Sequence, residues 1–118
     1  MTKKIHIAEE FSSVPTGRVE DDGPFNGTTF RQKFLLPALK SKQRIIINID
    51  GLFTYGHSFF DEAIAGLCRP KKPVGEGLPG EGLKAEEVAP YIELEANTDT
   101  ALFFLPSLQR LIPRIVTA

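Results

Sequence analysis

The chain has 118 residues, 42% apolar and 25% charged, enough for one ordinary globular domain with its own core and unlike a collagen-like, mucin-like or wholly disordered chain. Fourteen basic against fifteen acidic side chains leave a net charge of −1, which supplies no field to draw in nucleic acid or an anionic membrane. A single cysteine, Cys68, forms no internal disulfide, no run of eighteen apolar residues offers a membrane span, and MTKKIHIAEEF lacks a signal peptide's apolar stretch, so a cytoplasmic home is expected.

Lys4 to Ala8 alternates Ile5 and Ile7 with Lys4 and His6, the two-residue period of a half-exposed strand. From Glu9 to Gly27 the composition shifts to Ser, Pro, Gly, Asp and Asn, which predicts a loop with Glu20, Asp21 and Asp22 solvated. Helical spacing starts after Asn26, where Phe30, Phe34, Leu35, Ala38 and Leu39 share one face. Pro37 removes an amide donor from that helix and predicts a kink or an early end. Arg44 to Asp50 is an isoleucine run broken only by Asn48, and it predicts a central strand covered on both faces, as in parallel sheets.

Gly51 and Gly56 hinge the segment after this strand. Ser58 is expected to cap the following helix, with Asp61 at its third position complementing the positive end of the helix dipole. Residues 69–83 hold three prolines and four glycines in fifteen positions and predict a flexible loop. Gly75, Gly77 and Gly80 match Gly-x-Gly-x-x-Gly, but no strand runs into them and Pro79 sits among them, so no nucleotide cofactor is expected. Lys84 to Val88 predicts a helical turn, Tyr91 to Ala96 a half-exposed strand ended by Asn97 or Thr98, and Leu102 to Ile115 a last helix interrupted by Pro106 and Pro113. The alternation of strand and helix predicts one α/β domain over residues 1–118, a small, mostly parallel (mixed) sheet with flanking helices.

Four sets of landmarks carry a family resemblance: Gly17-Arg18; Gly23-Pro24 with Gly27; Phe30-Arg31 leading to Leu35-Leu36-Pro37-Ala38-Leu39; and Asp50-Gly51 through Ser58-Phe59 to Glu62-Ala63 and Gly66-Leu67. Together they resemble the STAS-like domain family of unknown function, a distant relative of the anti-sigma-factor antagonists. The resemblance implies a STAS-like fold and a regulatory module without catalysis, whose partner is another protein such as a histidine-kinase-like ATPase. In the antagonists a serine in an Asp-Ser-Ser-Gly turn is phosphorylated. Ungapped alignment of the strands lays Gly56, His57, Ser58 and Phe59 over that turn, with His57 at the phosphorylated position and Ser58 beside it.

The strand-loop-helix junction is where open α/β sheets dock ligands and partners. Gly51, Phe53, Tyr55, Gly56, His57, Ser58, Phe59 and Glu62 are therefore the expected partner-binding residues, with Ser58 the candidate for phosphorylation. The alternative is a small-ligand sensor built on a polar cluster of Arg18, Asp50 and Glu62. For Arg18 and Arg31 the first expectation is structural pairing with Asp50, Asp61 or Glu62. A serine-dependent hydrolase is a remote alternative: adjacent His57 and Ser58 side chains rarely face each other, and no Gly-x-Ser-x-Gly elbow is present. No catalytic residue is assigned, and two histidines and one cysteine, widely separated, match no metal-site spacing.

Overall fold

A computed structural model of the chain describes residues 2–72, 78 and 80–115. Three strands form one sheet in the order β1 (Thr2–His6), β2 (Arg44–Asn48), β3 (Ile92–Glu95), and both pairings are parallel. The α/β expectation holds, with every described strand parallel and β2 in the centre. Cross-strand partners share a side of the sheet, so the pairs Ile5 with Ile47, Ile45 with Ile92 and Ile47 with Leu94 bring five buried side chains to one face. The apolar core lies on that face.

The opposite face corrects the expectation of a strand covered on both sides. It presents Ile46 and Asn48 from β2 beside Lys4, His6, Glu93 and Glu95, of which Lys4 and Glu93 are exposed. Here Lys4 Nζ lies 2.7 Å from Glu95 Oε1, and Asn48 Nδ2 donates to the same oxygen at 2.7 Å. The isoleucine run looks two-sided in isolation, but its neighbours bring charge to one of the two sides.

β1 stops at His6 because the chain turns into α1 (Ile7–Glu10), where the Glu10 carboxylate accepts the His6 backbone N–H at 2.7 Å. The predicted helix after Asn26 forms as α2 (Gly27–Phe30), a π-helical turn (Arg31–Leu35) and α3 (Leu36–Lys40), started by the Asn26 side chain accepting from the Thr29 N–H at 2.9 Å. Pro37 does not end it. The wide turn just before leaves the proline in the first turn of α3, where its missing N–H removes no bond.

After β2 come α4 (His57–Ile64), a 3₁₀ turn (Ala65–Leu67), α5 (Ala85–Val88) and α6 (Asp99–Gln109). α2 packs on α4 through Gly27, where a Cβ would lie 2.6 Å from the Phe59 carbonyl oxygen and 2.7 Å from Glu62 Cβ. α6 ends earlier than predicted, and only Ala101 and Leu108 are fully buried in it; Leu102 and Phe103 point outward.

Within the expected flexible loop 69–83, residues 73–77 and 79, including Gly75 and Gly77, lie outside the described residues. Its far end is pinned. The N–H groups of Glu81, Gly82 and Leu83 donate to the carbonyls of Gly66, Arg69 and Leu67 at 3.0, 2.9 and 3.0 Å. No described helix is long and apolar enough to cross a membrane.

Candidate functional site

The carboxyl end of β2 is stapled to the start of α6 by one carboxylate. Asp50 accepts the backbone N–H groups of Asn97 and Thr98 at 2.8 and 2.9 Å, Asn97 Nδ2 at 2.9 Å, and the Thr98 hydroxyl and Asn48 Nδ2 at 3.2 Å each. Burial pushes the Asp50 pKa up, but the donors from Thr98, Asn97 and Asn48 outweigh it and hold the carboxyl well below its ordinary value. A carboxyl whose folded pKa is depressed contributes stability that is complete above its unfolded pKa of about 3.9 and is lost as pH falls through the folded value. Asp61 is depressed as well, its burial outweighed by Arg18 and Arg69. Thermal melts across a pH series should therefore be flat near neutrality and fall below about pH 4. Asp50→Asn should melt lower at neutral pH and lose less on acidification; an acid-side drop equal to that of the unmodified chain would contradict the staple.

Beyond Asp50 the chain turns on exposed Gly51 at a φ of 78°, a conformation that favours glycine. Phe53 stands at the loop tip with 84% of its surface exposed, while its backbone N–H donates to the Ser13 carbonyl at 2.8 Å. Half-buried Tyr55 anchors the loop: its hydroxyl donates to the Ile49 carbonyl at 2.7 Å and its ring stacks on Phe104 with centroids 4.7 Å apart. Gly56 is half-buried, and His57 and Ser58 are exposed in the first turn of α4.

Three expectations are corrected here. Ser58 does not cap α4, because the helix starts one residue before it; Gly56 takes the N-cap position and no side chain bonds into it. Phe59 is fully buried, its ring among those of Phe11, Phe30 and Phe60 at centroid distances of 6.0, 5.8 and 5.1 Å, so it supports the corner from beneath. Glu62 is fully buried too and faces inward.

Around Glu62 lies a chain of ion pairs. Arg31, also fully buried, places Nη1 at 2.7 Å from Glu62 Oε2 and 2.5 Å from the Glu62 carbonyl oxygen, while its Nε lies 2.9 Å from Glu81 Oε2. Arg69 Nη2 sits 3.0 Å from Glu62 Oε1, and Asp61 Oδ2 lies between Arg18 at 2.5 Å and Arg69 at 2.9 Å. Three guanidiniums thus meet three carboxylates. The expected pairing of Arg18 and Arg31 with Asp61 and Glu62 is present. The proposed ligand cluster of Arg18, Asp50 and Glu62 divides, since Arg18 reaches Glu62 at 3.6 Å while the Asp50 oxygens are taken by Asn48, Asn97 and Thr98.

Arg69 and Glu81 were missed as members. Arg69 follows Asp61 and Glu62 by eight and seven residues, about two helical turns, a spacing that could have nominated it. Glu81 stands fifty residues from Arg31 and leaves no local signal. Next to Asp50, at the polar face of the sheet, opens a cleft of about 520 Å³ with Lys4, His6, Asn48, Asn97 and Thr98 in its walls. Among the described residues no group of three or more His, Cys, Asp or Glu is placed to hold a metal ion.

No curated protein and no solved structure matches the chain. Residues 26–73, which contain α2, β2, α4 and the corner between β2 and α4, match the family described as a STAS-like domain of unknown function, the family that the sequence landmarks resemble.

Proposed function

We propose that this chain is a non-enzymatic regulatory module that docks another protein on the corner from Gly51 to Ser58. The observation that carries the proposal is Phe53, an almost fully exposed aromatic ring on a loop whose base is held by the Asp50 staple and the Tyr55 stack. An exposed aromatic is the kind of side chain that contributes strongly to binding once a partner covers it, and a preset loop backbone lowers the ordering cost. The family resemblance favours a histidine-kinase-like ATPase as that partner.

Ser58 is the residue at which phosphorylation would act. It is exposed in the first turn of α4, where a phosphate's charge of about −1.5 to −2 meets a favourable dipole and would alter the docking surface. Asp61, one turn on, is paired with Arg18 and Arg69, so its charge opposes a phosphate less than a free carboxylate would.

A photo-reactive residue replacing Phe53 in the native host should crosslink one protein, identifiable by mass spectrometry. With that protein purified, Phe53→Ala should weaken binding by about tenfold or more, the effect of losing a contribution of about 1.4 kcal/mol or more. Unchanged affinity would remove the corner from the docking surface. The cleft beside Asp50 favours a second reading, a sensor of a small polar ligand at the carboxyl end of the sheet. That reading requires a metabolite to raise the melting temperature, with the shift lost in Asn48→Ala.

A further inference from the structure

α6 carries two apolar faces, and among the described residues only one is packed. Ala101, Phe104, Leu105 and Leu108 turn towards the core, while Leu102 and Phe103 are 46% and 78% exposed and Pro106 is exposed beside them. At 3.6 residues per turn, Asp99, Leu102, Phe103, Pro106 and Arg110 fall on one outward ridge about 16 Å long. An acid opens the ridge and a base closes it, and among the described residues neither Asp99 nor Arg110 makes an ion pair.

We infer that this ridge pairs with the same ridge of a second copy of the chain, antiparallel about a two-fold axis. Charge complementarity selects that occupant. When α6 is laid against a reversed copy so that Asp99 faces Arg110 of the other copy, the same register sets Phe103 over Pro106 of that copy. Both contacts recur through the axis, so one surface satisfies itself, as an isologous interface requires. A net charge of −1 leaves little repulsion between copies. A ridge of one short helix is a small interface, and the dimer is accordingly weak, with dissociation in the micromolar range.

Sedimentation velocity of the full chain over a concentration series spanning that range tests this. A concentration-dependent dimer is expected, weakened about tenfold or more by Asp99→Arg or by Arg110→Asp and recovered in the double exchange. Both side chains are exposed, and circular dichroism melts establish that the variants fold. A chain that stays monomeric throughout, a dimer indifferent to either reversal, or a double variant that fails to recover would each overturn the inference. Phe53→Ala should leave this dimer intact, so the self-association and the docking corner stand or fall separately.

Discussion

Glu62→Ala should destabilise the fold by about 3–5 kcal/mol, a large part of a domain's usual margin of about 5–15 kcal/mol. Removing the carboxylate leaves Arg31 buried beside Glu81 alone, with its Nη1 reduced to the Glu62 backbone carbonyl, and takes from Arg69 its partner at 3.0 Å. The loss comes from an uncompensated buried charge rather than from the net worth of the pair. The double variant Arg31→Met with Glu62→Leu should consequently be more stable than Glu62→Ala, because a buried ion pair replaced by apolar groups of similar size no longer carries a desolvation penalty. Urea unfolding of the three proteins checks this. A Glu62→Ala variant within about 0.5 kcal/mol of the unmodified chain, the range of ordinary surface substitutions, would show that Glu62 is not buried as described.

Phe59→Ala should cost a comparable amount, about 3–5 kcal/mol, since a fully buried ring leaves a cavity its neighbours only partly fill. The cavity opens where α2 approaches α4 at Gly27 and where Phe11 and Phe30 converge. Phe59 and Phe53 are six positions apart in sequence and opposite in role. Phe59→Ala should lower the melting temperature sharply, whereas Phe53→Ala should barely move it, because Phe53 has little packing to lose. Thermal melts of the two variants side by side measure the contrast; equal losses would contradict the division of the corner into an exposed rim and a buried base.

The elements set by local chemistry were legible in the sequence. The β-branched run Ile45 to Ile47 gave the central strand, and the alternation of Ile92 and Leu94 with Glu93 and Glu95 gave its neighbour. Asn26 and Thr98 both begin helices as their side-chain oxygens suggest. The spacing from Ser58 to Asp61 imitates a capping pattern, yet Gly56 opens the helix and Asp61 is drawn to Arg18 and Arg69. Phe59 shares the helical spacing of Ala63, Ile64 and Leu67, which already points it inward, whereas Glu62 has the residue type of a wet surface and is buried where Arg31 and Arg69 receive its carboxylate. The staple from Asp50 to Asn97 and Thr98 spans forty-seven and forty-eight residues, and such distant hydrogen-bond partners have no periodicity to betray them.

Calorimetric titration of the partner captured at Phe53 into the unmodified chain, Phe53→Ala and Phe25→Ala bears most directly on the docking corner. Phe25 is also an exposed aromatic, at 45%, but belongs to the loop before α2. The account predicts that Phe53→Ala alone weakens binding by about tenfold or more while its melting temperature holds. Equal affinities for all three proteins, or a loss only with Phe25→Ala, would contradict it.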